Sequence, residues 1–120
     1  MSTIKVDTIK NTSNVEVYTA KAWVNFDGTQ TAANMIRSSG NVSSITDNGT
    51  GDYTVNFTTA MTDVNYAVAG AVSTVYDSGV TPRSTIPEPT LLNTGSVRIS
   101  CTYHENTRLD SKVVCISVFR

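Results

Sequence analysis

At 120 residues and 12.9 kDa the chain has room for one modest hydrophobic core and none for a second. Valine outnumbers leucine 15 to 3, threonine and serine are abundant and only 16% of residues are charged, a mix that favours pleated sheet and excludes a helical bundle. A net charge of -1 leaves no basic surplus for a phosphate backbone, and no stretch nears the ~18 apolar residues of a membrane span, so neither nucleic-acid binding nor membrane insertion is expected.

Residues 2–17 alternate weakly through Ile4, Val6, Val15 and Val17 and are broken by the polar run Lys10-Asn11-Thr12-Ser13-Asn14. They offer little to a core, and residues 1–19 are predicted to form an arm. The opening decapeptide lacks the apolar stretch of a secretory signal, so none is expected. Residues 20–26 alternate cleanly, with Ala20, Ala22, Val24 and Phe26 on one face and Lys21, Trp23 and Asn25 on the other. That pattern predicts a strand carrying a tryptophan on its second face, ended by the turn Asp27-Gly28. Residues 29–40 are polar apart from Met35-Ile36.

Residues 41–59 read as a hairpin around Asp47-Asn48-Gly49-Thr50-Gly51-Asp52, because Asn and Gly tolerate the positive φ of tight turns. A four-residue loop, Asn48 to Gly51, is expected, with Thr46 facing Tyr53, Ser44 facing Val55 and Val42 facing Phe57. That register collects Val42, Tyr53, Val55 and Phe57 on one face. A two-residue Asn-Gly loop would set Ile45 against Asp52 and scatter them. Residues 65–75 place Tyr66, Val68, Gly70 and Val72 on one side and Ala67, Ala69, Ala71 and Ser73 on the other, so the strand is expected to be covered on both sides, by its own chain or by another subunit. Residues 76–95 carry Pro82, Pro87 and Pro89 without periodicity and read as a long loop. It is either a mobile surface loop or an arm packed on a partner through Leu91 and Leu92. Residues 96–103 and 111–119 are expected to close a second hairpin, Tyr103 against Val113, Cys101 against Cys115, Ile99 against Ser117 and Val97 against Phe119. Six or seven short strands predict an all-β domain spanning residues 20–120, a compact antiparallel β-sandwich or barrel-like fold.

In that register the two cysteines sit opposite each other, and both a disulfide and a pair of reduced, buried thiols remain open, with the absence of a secretory signal favouring thiols. Cys-x2-Cys spacing is absent and His104 is the single histidine, so no metal or other cofactor is expected. His104 beside Glu105 on a strand has no carboxylate on its own face and reads as solvated. The familiar motifs for nucleophilic, zinc-dependent, dinucleotide and nucleotide chemistry are all missing, so the chain is not expected to be an enzyme. Asp47 and Asp52 are its only close carboxylate pair, a weak basis for glycan hydrolysis. The turn between them lacks the acidic spacing of a calcium loop, and the sequons at Asn11, Asn41, Asn48 and Asn56 are those expected of so much Asn, Ser and Thr. Among the aromatics, Trp23 and Tyr76 fall outside the apolar faces and are the candidates for stacking on a surface sugar.

The runs MSTIKVDTIKNTSNVEVYTAKAWVNFDGT and NVSSITDNGTGDYTVNFTTAMTDVNYAV resemble a tail-fibre-like module of phage virion proteins, particularly those of cyanophages, over roughly the first two-thirds of the chain. The ending VVCISVFR resembles that module's last strand. Members often continue into larger fibres, whereas this chain is expected to be complete at 120 residues, and residues 76–95 match no phrase of the family.

The resemblance implies an intertwined homotrimer on the virion, assembled in the host bacterial cytoplasm, with the N-terminal arm attaching it to other virion proteins. The expected function is a short tail-fibre or baseplate-associated subunit that touches host surface polysaccharide, with a capsid decoration or cement protein and a carbohydrate-binding module as alternatives. Ile4, Val6, Leu91 and Leu92 are the candidate subunit or virion contacts, and three weak sites on one trimer would act by avidity.

Overall fold

The alternation of residues 20–26 becomes β1 (Ala22–Phe26), in which Ala22, Val24 and Phe26 are buried and Trp23 remains 42% exposed. A 3-10 turn (Ala32–Asn34) leads into β2 (Ile36–Gly40), which pairs with β1. The computed structural model describes residues 3–73, 86–103 and 107–120. Its remaining strands are β3 (Val42–Gly49), β4 (Asp52–Phe57), β5 (Ala67–Ser73), β6 (Ile86–Leu92), β7 (Ser96–Tyr103), β8 (Thr107–Arg108) and β9 (Val113–Phe119). They form two antiparallel sheets, one ordered β2-β1-β9-β5 and the other β3-β4-β7-β6, with β8 beside β7. The fold is all-β, and its core lies between the sheets. Ala22, Val24, Phe26, Val114, Ile116 and Val118 from one meet Tyr53, Val55, Val97, Ile99 and Cys101 from the other. Phe26 and Tyr53 pack edge to face, ring centres 5.1 Å apart. Each fully buried Val or Ile contributes about 1.5–3 kcal/mol.

The β3–β4 hairpin forms, but its connection is tighter than expected. Gly49 pairs with Asp52, leaving Thr50 and Gly51 between the strands, and Asp47 pairs with Tyr53. Val42 does face Phe57. Ile45, which strict alternation would turn outward, is also buried, because the register shifts between Val42 and Ser44. A bulge adds one residue to one strand and so reverses the parity of the residues beyond it, letting two core residues three apart share a face. At the tip, Gly49 (φ 132°) and Gly51 (φ 63°) take up positive φ. A β-carbon on Gly51 would also lie 2.6 Å from the Leu109 nitrogen and 2.7 Å from the Cys101 carbonyl oxygen.

The expected C-terminal hairpin does not form. β7 pairs with β4 and β6, whereas β9 lies in the other sheet between β1 and β5. Alternation shows that a strand has an apolar face but does not name its partner, and in a sandwich two consecutive strands share one core from opposite sheets. The crossing is held by Asp110, whose carboxylate accepts hydrogen bonds from the Gly51 N–H at 2.8 Å and the Tyr53 hydroxyl at 2.6 Å. The Gly28 N–H donates to the Ser111 carbonyl at 2.7 Å from the β1 side.

Residues 86–92, read as part of a long loop, are the strand β6. Pro87 and Pro89 hid it, since proline disrupts the pattern and lacks a donor. Both are tolerated because β6 is the outer strand of its sheet, where one edge of the ladder needs no partner. β5 is likewise an outer strand, and its own chain does not cover both its sides: Ala67, Ala69, Gly70 and Ala71 are exposed, while Val68 and Val72 are half-buried against the core.

Candidate functional site

Residues 3–20 contribute nothing to the core. Ile4 is 88% exposed and Tyr18 80%, and Val6, Ile9, Val15 and Val17 are all solvent-accessible. The arm bends back at Asn11, whose side-chain oxygen accepts from the N–H groups of Ser13 and Val15 at 2.9 and 3.1 Å, and Asn14 takes φ 62° to complete the turn. The two halves touch through a bridge between Lys10 and Glu16 and a 2.6 Å hydrogen bond from the Val17 N–H to the Ile9 carbonyl. Between arm and body lies a cleft of about 610 Å³, with Val6, Ile9, Val17 and Tyr18 on one side and Ala67 and Phe119 on the other. Arg120, at its rim, is anchored to Asp63 by bonds of 2.9 and 2.6 Å, and this two-pronged contact draws the Asp63 carboxyl down to about 2.

The cleft opens beside the outer face of the β2-β1-β9-β5 sheet. Among β1, β9 and β5 there is no charged residue. In register across this face are Trp23, Ser117 and Ala69, then Asn25, Cys115 and Ala71. Phe119, 41% exposed, pairs with Ala67. Trp23 pairs with Gly40, and its five-membered ring lies where a β-carbon of residue 40 would be. An aromatic ring over a strand glycine covers backbone that has no side chain of its own.

The sequence-derived candidates scatter. Trp23 is exposed on this face with part of its ring spent on Gly40. Ile4 and Val6 are exposed on the arm. Leu91 is 51% exposed, but Leu92 is half-buried and packs on the core. Tyr76, His104 and Glu105 lie outside the described residues. The structure thus brings Val6 and Trp23 to neighbouring parts of one side of the molecule and leaves Leu91 on β6, in the other sheet.

Asp47 and Asp52 are held by different partners. Asp52 is buried and held by Arg98, Nε to Oδ1 at 2.9 Å and Nη2 to Oδ2 at 2.7 Å, with Arg108 at 3.4 Å. These hydrogen bonds and charges lower its pKa, the opposite of what a proton donor in glycoside cleavage needs. Asp47 accepts the Gly49 N–H at 3.0 Å and serves the turn. The cysteines are free and apart. Cys101 faces the core from β7, its thiol pushed up to about 12 by burial, and Cys115 is half-buried on the outer face of the other sheet. Among the described residues no three His, Cys, Asp or Glu gather as a metal site.

Sequence reasoning missed the Asp52–Arg98–Arg108 cluster, which has no local signal, since residues 46 and 56 apart meet only once β4, β7 and β8 align. The chain matches no family model, no curated protein and no solved structure.

Proposed function

We propose that the chain is a structural subunit of a phage virion, a short tail-fibre or baseplate-associated protein that works as a homotrimer and meets other virion proteins or the host surface by contact rather than catalysis. The resemblance of its first two-thirds to tail-fibre-like modules supplies the virion. The apolar arm supplies the assembly: six apolar or aromatic side chains on residues 4–18 find no place in their own core. A folded domain keeps such a segment at the cost of exposing it to water, and burial between subunits removes that cost. The charge-free strands β1, β9 and β5 beside the arm support the same reading, because their outward side chains can be covered at little cost in desolvation. A capsid decoration protein would use the same surfaces, so position on the particle separates the two.

Two measurements test the proposal. Light scattering on the purified chain is expected to give three times 12.9 kDa, and antibody labelling of purified particles is expected to mark the tail or baseplate. Label on the shell would convert the reading to a decoration protein. A chain that stays single in solution and is absent from particles would overturn it.

A further inference from the structure

Both sheets end in outer strands, and three of the four are defended against pairing with another chain. β3 has two register shifts and the exposed Asp47. β6 has Pro87, Pro89, the exposed Glu88 and a shift between Pro89 and Leu91. β2 is offset against β1 between Asn25 and Phe26 and carries the exposed Arg37. β5 has none of these devices. It pairs with β9 over seven residues with no shift, contains no proline and no charge, and is exposed at Ala67, Ala69, Gly70 and Ala71. Along its inner side Val68 and Val72 are only half-buried.

The arm has the properties of the missing strand. Residues 3–9 match β5 in length, belong to no strand among the described residues and alternate Ile4 and Val6 with Lys5 and Asp7. Placed beside β5, one parity would cover Val68 and Val72 and the other would continue the outer face. The charges Lys5 and Asp7 cancel. A chain's own arm does not do this: it turns back at Asn11, and of β5 it lines a cleft with Ala67 alone.

Building on the assembly reading, we infer that residues 3–9 of one copy add to the outer edge of β5 of the next copy, extending that sheet to five strands. Main-chain hydrogen bonds supply the pairing and Ile4 and Val6 supply the burial. Because arm and β5 are different patches, each copy gives once and receives once. Such a head-to-tail contact closes into a ring where the rotation between copies permits it, and three copies about a threefold axis meet that condition.

The test uses the full chain with Cys115→Ser, leaving Cys101 shielded at 0% exposure. Lys5→Cys and Ala69→Cys are made separately, co-expressed, and treated with a short bismaleimide. A cross-linked species containing one of each is expected, and neither variant alone should form it. If the chain keeps its trimer mass without this cross-link, the copies meet elsewhere, which overturns the inference and leaves the assembly reading intact. A single-chain mass overturns both. If a Lys5→Cys/Ala69→Cys double variant cross-links only within one chain, the arm serves its own β5 and the inference fails. Independently, Val6→Asp is expected to reduce the native mass threefold with an unchanged circular dichroism spectrum, whereas retained assembly would refute the contact.

Discussion

On the outer face of the β3-β4-β7-β6 sheet the Asn56 amide donates to Ser44 at 3.1 Å and Thr46 at 2.9 Å, the Asn48 amide donates to Thr54 at 2.8 Å, and Asp52 gathers two arginines. Across the core, β1, β9 and β5 turn out Trp23, Asn25, Cys115, Ser117, Phe119 and a row of alanines, with Arg37 of β2 reaching Asn25 at 3.2 Å as the charge beside them. The first face satisfies its polar groups laterally and gains nothing from being covered. The second has few groups for water to hold and, among the described residues, ends in the exposed strand β5. One domain thus carries a finished surface and an unfinished one, and the difference lies in how many polar groups each presents to be paired within the chain.

The contrast can be broken or sharpened by substitution. The largest effect is expected at Gly51→Ala, where positive φ and the close approach of Leu109 and Cys101 leave no room for a methyl group. It should cost about 3 kcal/mol or more, lowering the melting temperature by roughly 10 °C. A change under a few degrees would show that the hinge of the finished face is softer than its geometry. Next is Asp52→Asn, at about 1–2 kcal/mol after allowing for the half-exposed guanidiniums. Because the folded carboxyl sits below its unfolded value, its contribution is full above about pH 4 and is lost as pH falls through the folded pKa. Urea titrations from pH 7 to 2 should therefore show a shallower acid loss in the variant, and parallel curves would remove Asp52 from the account.

Trp23→Ala, on the unfinished face, uncovers Gly40 and should cost about 1 kcal/mol by thermal melting. Asn56→Ala breaks the amide bonds of the finished face and should cost about 0.5 kcal/mol, with native mass unchanged. Smallest for the fold is Ala69→Lys, expected within about 0.5 kcal/mol of the parent chain. The same lysine should abolish assembly in light scattering, whereas Thr54→Lys on the opposite face should not. Equal behaviour of the two lysine variants would erase the distinction between the faces.

Legibility followed the range of the interactions. β1 and the inward set Tyr53, Val55 and Phe57 were readable because alternation is a local signal that survives any choice of partner. The buried place of Ile45 was not, since the bulge that turns it inward is decided by pairing. β6 was obscured by its prolines, which are acceptable only to a strand known to be outermost. The arm was readable as a segment without a core, and its candidate contacts Ile4 and Val6 are exposed. The row of small residues on β5 was visible too, but whether its own chain covers it was not, because small residues suit a covered strand and an exposed one equally.

By itself, then, the sequence determined the all-β class, the apolar face of most strands, the hairpin tip that needs glycine and the arm's exclusion from the core. Each of these rests on contacts between near neighbours or on composition. Only the tertiary structure decided that β7 and β9 lie in opposite sheets, that Asp52 meets Arg98 and Arg108, and that β5 ends its sheet among the described residues. Those outcomes depend on which distant strands pair, and a period of two in the side chains carries no address for the partner.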